Sequence, residues 1–239
     1  MTPSTLNSIP AGGLALVIGA TGALGGALLD QLQHDATFAL ALGLSRHSQP
    51  ALDLVDEASI AACAQHIAML GLELRLVVDA TGLLHGHGHQ PEKSWSQLDP
   101  VQMAQVFAIN AIGPALLMKH FLPLLPRQGK AVLATLSAKV GSIGDNRLGG
   151  WYSYRASKAA LNQLVHTAAI ELRRRQPEAL CVALHPGTVQ SALSAPFAKT
   201  GLDVRQPDEA AQRLLTVING LSAPDSGGFF NHDGQSLPW

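Results

Sequence analysis

The chain has 239 residues, of which 47% are hydrophobic and 14% are charged, and its net charge is −1. This length fits one α/β domain with a full core, and a chain with no basic run is not expected to bind nucleic acid or an anionic membrane. Residues 1–13 contain no basic residue and no uncharged apolar run reaches membrane length, so we expect a cytoplasmic protein.

Segments of strand and helix character alternate along the chain, which predicts a parallel, doubly wound sheet. Residues 1–13 are rich in Pro, Ser, Thr and Gly and are expected to form a loose tail, followed by a single domain over residues 14–239. In chain order, the predicted strands are 14–18, 38–44, a short one before Asp53, 74–80, 130–136, 180–185 and one beginning at 227. The main predicted helices are 58–70, 101–125, 153–174 and 208–221.

The stretch GATGALGG, which follows the first strand, spaces Gly19, Gly22 and Gly25 as G-x-x-G-x-x-G and leads into a helical pattern. This context is typical of a dinucleotide-binding turn, in which the glycines permit a tight turn, close approach of a pyrophosphate and close packing of helix on strand. The phosphates would face the helix N-terminus. Cofactor contacts are therefore predicted at Gly19, Thr21, Gly22, Ala23, Leu24 and Gly25.

The second strand ends in Ser45 and Arg46. Folds that prefer NAD place an acidic residue at this position to bind the ribose 2′-hydroxyl, whereas an Arg nearby accommodates the 2′-phosphate of NADP. No acidic residue is present here. The sequence therefore predicts NADP(H), with NAD(H) less favoured, bound by Ser45 and Arg46, with His47 or Ser48 as further candidates.

Neither the cysteines nor the loop histidines predict a metal site. Cys63 and Cys181 lie in apolar segments and are expected to be small buried side chains. His85, His87 and His89 alternate in a Gly-rich loop without Cys or carboxylate neighbours, so a position near a substrate mouth is favoured over metal binding.

The stretch from Ser137 to Lys158 carries the predicted chemistry. Tyr154 and Lys158 are four residues apart at the start of a helical pattern, so their side chains share one face. A nearby ammonium lowers the pKa of a phenol, and such a phenol can exchange a proton with an alcohol or a carbonyl. Ser137 ends the apolar run AVLATL, and its hydroxyl would hold the substrate oxygen; Ser142 is the competing candidate.

These motifs, with the stretch GSIGDNRLGGWYSYRASKAALN, resemble the short-chain dehydrogenase/reductase family and, within it, the C-factor-type branch. The resemblance runs from about Leu14 to the C-terminus. It implies a single-domain Rossmann fold with a seven-stranded sheet in the order 3-2-1-4-5-6-7. It also implies reversible hydride transfer between NADP(H) and a small carbonyl or alcohol, at the C-terminal ends of the strands.

The resemblance also implies roles for individual residues. Asn110, a polar residue in an apolar helix that could otherwise simply bond backbone in the core, would hold a water in a proton relay to Lys158. Lys158 would stabilise the phenolate of Tyr154 and hold the cofactor ribose. Further cofactor contacts are implied at Asp53, Leu54, Ala80, Thr81, Gly82, Pro186, Gly187, Val189 and Ser191.

Three further expectations concern segments rather than single residues. Residues 192–206 are expected to form a substrate lid. The predicted helices 101–125 and 153–174 carry more apolar residues than one buried face needs, which predicts a homodimer or homotetramer. In Asp79 to Gly82 the family's Asn-Asn-Ala-Gly is replaced by Asp-Ala-Thr-Gly, so its asparagines are absent.

Two other functional classes stay open at this point. Some relatives bind the nucleotide and act as signalling or regulatory proteins with little turnover, and the same site can support non-redox reactions such as epimerisation or dehydration. The presence of all four residues that the resemblance assigns to catalysis favours an enzyme. These residues are Asn110, Ser137, Tyr154 and Lys158.

Overall fold

The computed structural model describes residues 6–86, 88, 90–191, 194, 196 and 204–239. The strands are β1 (Gly13–Ile18), β2 (Phe38–Leu44), β3 (Leu74–Asp79), β4 (Ala131–Leu136), β5 (Ala179–His185), β6 (Thr188–Val189), β7 (Val204–Arg205) and β8 (Phe229–Asn231). Six of them form one parallel sheet in the order β2-β1-β3-β4-β5-β8, and β6 pairs with β7 separately. The predicted α/β fold of the Rossmann type is confirmed.

Helices cover both faces of the sheet. They are α1 (Ala23–His34), α2 (Glu57–Met69), α3 (Pro100–Phe107), α4 (Gly113–Phe121), α5 (Tyr152–Arg175) and α6 (Pro207–Gly220). Because alternate side chains of a strand point to opposite faces, Leu14 and Leu16 of β1 join the core under α2, α4 and α5, whereas Ala15 and Val17 join the core under α1 and α6. The sheet is thus buried on both sides, as its apolar strands require.

The segment before β1 packs on the domain. Leu6 and Ile9 are 0% and 3% exposed and join the core beside α6. The ammonium of Lys130 donates hydrogen bonds to Ser8 Oγ (2.8 Å) and to the carbonyl oxygens of Ile218 (2.7 Å) and Asn219 (2.9 Å), at the end of α6. The expected loose tail is therefore wrong for residues 6–13, because two apolar side chains anchor them; residues 1–5 lie outside the described part of the chain.

The described sheet has six strands, so the predicted count of seven is wrong. The segment before Asp53, predicted as a short strand, is a loop whose polar groups bond to α2. The backbone N–H of Asp53 donates to Ser59 Oγ (2.9 Å), and the Ser59 hydroxyl donates to the carbonyl of Asp53 (3.1 Å). Cys63 Sγ lies 3.4 Å from the carbonyl oxygen of Ala51. Side chains of α2 thus take the hydrogen bonds that a neighbouring strand would otherwise make.

The predicted helix 101–125 is interrupted. Between α3 and α4 lies a π-helical turn, Ala108–Ile112, and a short 3₁₀ turn, Leu122–Leu124, ends the run. The interruption precedes Pro114, which has no N–H to donate to the preceding turn, while the backbone stays helical through Ile112 and Gly113. By length and composition the run Pro100–Leu124 could cross a membrane. Leu117 and Phe121 are nevertheless buried in the core, so this run is a core element of the domain.

All strands of the main sheet point in the same direction, so their C-terminal ends meet at one edge. The chain order reverses between β1 and β3, since β2 lies on one side of β1 and β3 on the other. Ligand sites of open parallel sheets lie at such a reversal, outside the carboxyl ends of the strands. This edge therefore defines where the functional side chains should be sought.

Candidate active site

A cavity of about 580 Å³ opens at this edge of the sheet. Its walls come from the glycine turn, the segments that follow β3, β4 and β5, and the start of α5. The predicted site residues that line it are Gly22, Ala23, Leu24, Gly25, Ala80, Thr81, Gly82, Ser137, Tyr154, Lys158, Pro186, Gly187, Val189 and Ser191. Segments far apart in the sequence thus meet as the resemblance implied.

The remaining predicted residues lie outside this lining: Gly19, Thr21, Ser45, Arg46, Asp53, Leu54 and Asn110. The backbone N–H of Gly19 donates to the carbonyl of Leu44 (2.9 Å), so the glycine turn lies directly beside the end of β2. Arg46 follows in an exposed turn, and no described residue pairs with its side chain. The exposed turn that carries Arg46 therefore begins two residues beyond the strand end that the glycine turn contacts.

The glycine turn fits a dinucleotide pyrophosphate. A Cβ on Gly25 would lie 2.2 Å from the carbonyl oxygen of Gly19, so only glycine permits α1 to begin this close to the turn. Gly22 caps α1 without a side-chain hydrogen bond, and the first turn of α1 contains no acidic residue. Free backbone N–H groups at a helix N-terminus bind anions, and those of α1 open into the cavity.

Tyr154 and Lys158 lie one turn apart on α5, and both line the cavity. Burial raises the pKa of Tyr154 to about 12. The expected lowering by the ammonium is therefore wrong for this state, because Lys158 Nζ donates its hydrogen bond to the carbonyl oxygen of Leu136 (2.7 Å) instead. The phenol stays protonated at neutral pH and can act as a proton donor.

The carboxylate of Asp79, which the sequence did not assign to the site, favours the charged form of Lys158. Lys158 is 3% exposed, and burial lowers its pKa to about 8, while the carboxylate of Asp79 opposes this shift. Asp79 accepts hydrogen bonds from the Thr81 N–H (3.0 Å), the Thr81 hydroxyl (2.6 Å) and the Thr135 hydroxyl (2.7 Å). The sequence showed Asp79 only as a departure from the family pattern, although a carboxylate at the end of a buried strand is itself a signal.

Asn110 lies in the π-helical turn and is completely buried. Its Oδ1 accepts from the Leu83 N–H (2.7 Å), and its Nδ2 donates to the Leu83 carbonyl (2.7 Å) and to Ser157 Oγ (3.2 Å). A Cβ on Gly82 would lie 3.7 Å from both Asn110 Oδ1 and Lys158 Nζ. Asn110 therefore holds the segment after β3 beside the ammonium, and its role in a water relay stays a prediction.

The two candidate serines differ in position. Ser137 lines the cavity, and its hydroxyl donates to Asn162 Oδ1 (2.6 Å) on α5. Ser142 does not line it: its hydroxyl donates to the Trp239 carbonyl (3.3 Å) and accepts from the Asp145 N–H (3.1 Å). Of the two, only Ser137 is close to the place where a substrate would lie.

The sequence did not single out several other residues of the cavity: Leu84, Ala138, Lys139, Val140, Asp145, Trp151 and His185. Lys139 Nζ and Asp145 Oδ1 lie 3.6 Å apart as an ion pair. Burial lowers the pKa of His185 to about 4, with further contributions from His232, Lys139 and Arg205, so its imidazole is neutral at neutral pH. Trp151 follows two glycines directly before α5, and this pattern in the sequence could have indicated a tight turn at the cavity.

Two predicted features fall largely outside the described residues. Residues 192–193, 195 and 197–203 of the expected lid are not described, nor are His87 and His89. Within the part of the chain that the structure describes, no group of three His, Cys, Asp or Glu side chains could hold a metal ion.

Comparison with known proteins gives the family. The model of the short chain dehydrogenases matches residues 44–201. C-signal of Myxococcus xanthus is 38% identical over 143 residues (59% of this chain, 81% of that protein), and the 1-hydroxy-2-glutathionyl-2-methyl-3-butene dehydrogenase of a Rhodococcus strain is 31% identical over 195 residues (80% of each). An NADPH-bound carbonyl reductase from chicken fatty liver superposes with a TM-score of 0.84 at 25% identity over the full length of both chains. The chain therefore belongs to the short-chain dehydrogenase/reductase family.

Proposed function

We propose that this oxidoreductase uses NADPH to reduce a small carbonyl compound, with Tyr154 as the proton donor. The observation that carries the proposal is the position of Tyr154 on the cavity wall, one helical turn from the buried ammonium of Lys158. A protonated donor suits reduction at neutral pH, where the carbonyl oxygen must gain a proton. The similarity to an NADPH-bound carbonyl reductase supports the same direction.

The chain offers a binding group for each part of the cofactor, which supplies the hydride when bound. The N-terminus of α1 would hold the pyrophosphate, and Ser45 and Arg46 the 2′-phosphate. Asp53 and Leu54 would lie beside the adenine. Ribose and nicotinamide contacts would come from Ala80, Thr81, Gly82, Lys158, Pro186, Gly187, Val189 and Ser191.

Tyr154 donates its hydroxyl proton to the substrate oxygen as negative charge develops there. The ammonium of Lys158 would stabilise the phenolate that remains once it turns from the Leu136 carbonyl towards Tyr154, and Asn110 would hold the water through which the proton is replaced. The bond from Ser137 to Asn162 favours a positioning role for Ser137, at the junction of β4 and α5. Contact between its hydroxyl and the substrate oxygen stays a prediction.

A second candidate function is signalling, supported by the 38% identity to C-signal of Myxococcus xanthus. In that case the nucleotide would bind and turnover would be small. Oxidation of NADPH, followed by absorbance over a panel of aldehydes and ketones, separates the two functions. Epimerisation or dehydration would likewise leave the reduced cofactor unconsumed.

The first prediction concerns the proton donor. Tyr154→Phe keeps the ring but removes the proton, so turnover should fall by roughly 10²–10⁴-fold. Nucleotide affinity should change little, since the glycine turn makes the main contacts. Tyr152→Phe is the matched control, because Tyr152 does not line the cavity. Near-parent turnover by Tyr154→Phe would contradict the assignment.

The second prediction concerns pH. Lys158 is charged below a pKa of about 8, and Asp79 helps to hold that charge. Asp79→Asn keeps the shape and can still bond to Thr81 and Thr135, but it removes the negative charge. The alkaline limb of the kcat profile should therefore move to lower pH, with the largest loss near pH 8 and the smallest near pH 6.

Thr135→Val is the control for this experiment, because it removes one hydrogen bond to Asp79 and leaves the carboxylate in place. Its alkaline limb should stay at the parent position even if its stability falls. An unshifted limb in Asp79→Asn would show that the carboxylate does not hold the charge of Lys158.

The third prediction concerns cofactor choice. NADPH should bind more tightly than NADH by about tenfold to a hundredfold, since a hydrogen bond to a charged group contributes about 1.5–3 kcal/mol. Arg46→Ala should remove most of this preference while the affinity for NADH stays nearly unchanged. Fluorescence titration of both reduced nucleotides measures the ratio. Equal affinities in the parent protein would refute the proposal.

The fourth prediction concerns assembly. Val101, Ile112 and Ile170, on α3, the π-helical turn and α5, are 72%, 55% and 49% exposed. Exposed apolar side chains on helices are favoured as subunit contacts. We therefore propose a homodimer or homotetramer, for which light scattering should give two or four times the chain mass of 25.0 kDa. A single-chain mass throughout the micromolar range would exclude it.

A further inference from the structure

Trp151 adopts a backbone conformation that its side chain does not favour. With φ 54° and ψ 42° it is the one non-glycine residue at positive φ in the part of the chain that the structure describes. A bulky residue in this left-handed region is an outlier, and such outliers concentrate at functional sites. Gly149 and Gly150 precede it at φ 65° and 64°, so three successive residues are left-handed.

The neighbouring loop fixes this conformation. The Trp151 N–H donates to the carbonyl oxygen of Glu92 (2.5 Å), and a Cβ on Gly150 would lie 3.4 Å from the same oxygen. The carboxylate of Glu92, which is 2% exposed, accepts from the N–H (3.2 Å) and from the hydroxyl of Ser153. Arg155 Nε donates to the Gly150 carbonyl (3.0 Å). Backbone and side chain of the loop together hold residues 150–153 in place.

The indole itself takes no part in capping the helix. Trp151 is the N-cap of α5, a position that favours Ser, Thr, Asp, Asn or Gly, and its side chain makes no cap hydrogen bond. Glu92 supplies the acceptor instead. The conformation therefore has a different result: it places the half-buried indole on the cavity wall, with its centroid 6.2 Å from the Tyr154 ring and the ring planes at 77°.

Among the described lining residues around Tyr154, Lys158 carries the one charge that no ion pair neutralises. Leu84, Ala138 and Val140 are apolar, and the described charged pair, Lys139 and Asp145, is neutral as a whole. His185 is neutral at neutral pH. A substrate placed beside Tyr154 would thus meet Trp151 and aliphatic groups.

We propose that Trp151 selects the substrate, and that the preferred substrates are uncharged carbonyl compounds with an aromatic ring next to the carbonyl carbon. This inference rests on the proposed reductase function. An aromatic ring gains from contact with a second aromatic ring beyond the area that it buries, in stacked or edge-on geometry. A saturated ring of the same size buries similar area without that gain.

Benzaldehyde and cyclohexanecarboxaldehyde test the proposal, since the two differ in the ring and little in size. The ratio of kcat/KM for benzaldehyde to that for cyclohexanecarboxaldehyde should be up to about tenfold higher in the parent than in Trp151→Gly, the range expected of one aromatic contact, mainly through KM. Comparing the ratio between the two proteins cancels the different intrinsic reactivity of the two aldehydes. Glycine accepts φ 54° without strain and is tolerated as an N-cap, so this variant removes the indole and retains the backbone. Trp151→Phe should keep most of the preference.

Two controls separate this role from a structural one. Trp95→Ala changes a tryptophan that is 76% exposed and does not line the cavity, and its ratio should match the parent ratio. NADPH affinity, measured by fluorescence titration, should be the same in all variants. 4-Carboxybenzaldehyde should react more slowly than benzaldehyde in the parent, because contact with Leu84, Val140 and Trp151 would remove water from its carboxylate.

The outcomes distinguish the inference from the proposed function. Turnover in the parent with an equal ratio in the parent and in Trp151→Gly would overturn the role of Trp151 and leave a reductase. Loss of both aldehydes in Trp151→Gly, with NADPH still bound, would also overturn it and indicate that Trp151 positions Tyr154. If the parent oxidises no NADPH with any carbonyl, the proposed function itself fails.

Discussion

The structure depends on a buried positive charge, the ammonium of Lys158. A charge removed from water is costly unless hydrogen bonds and an opposite charge compensate for it. Here β4 supplies the carbonyl of Leu136, and β3 supplies the carboxylate of Asp79. Both groups lie at the C-terminal ends of neighbouring parallel strands, and α5 crosses that edge. The topology of the sheet is thus what makes the site possible, since other sheet orders would separate the three groups.

Close packing around the Lys158 side chain fixes the positions of the two segments that form the cavity walls. A Cβ on Gly141 would lie 2.7 Å from Lys158 Cβ, so the segment after β4 passes directly over α5. Asn110 holds the segment after β3 from the other side. The segments after β3 and β4 therefore both pack around Lys158. A substitution in either segment is expected to move the side chain of this lysine.

The sequence predicted those contacts of the site that join residues close together in the chain. Tyr154 and Lys158 share a helical face, and Gly25 lies where α1 meets the first turn; both follow from sequence separation alone. The pKa of the phenol was predicted in the wrong direction, because burial in the folded chain raises it and the Lys158 ammonium bonds to the Leu136 carbonyl. The role of Asp79 and the packing of Leu6 were missed for the same reason: their partners are distant in the sequence.

The two ends of the sheet each hold an ammonium, the buried Lys158 at one edge and the partly buried Lys130 at the other, and burial lowers the pKa of each from 10.5 to about 8. The unfolded chain therefore binds these protons more tightly than the folded one does. Between about pH 8 and pH 10.5 the unfolded state holds more protons, so these two groups make the folded state relatively more stable as the pH rises. Deprotonation of Lys158 as the pH rises through about 8 therefore removes the charge of the site without itself favouring the unfolded chain.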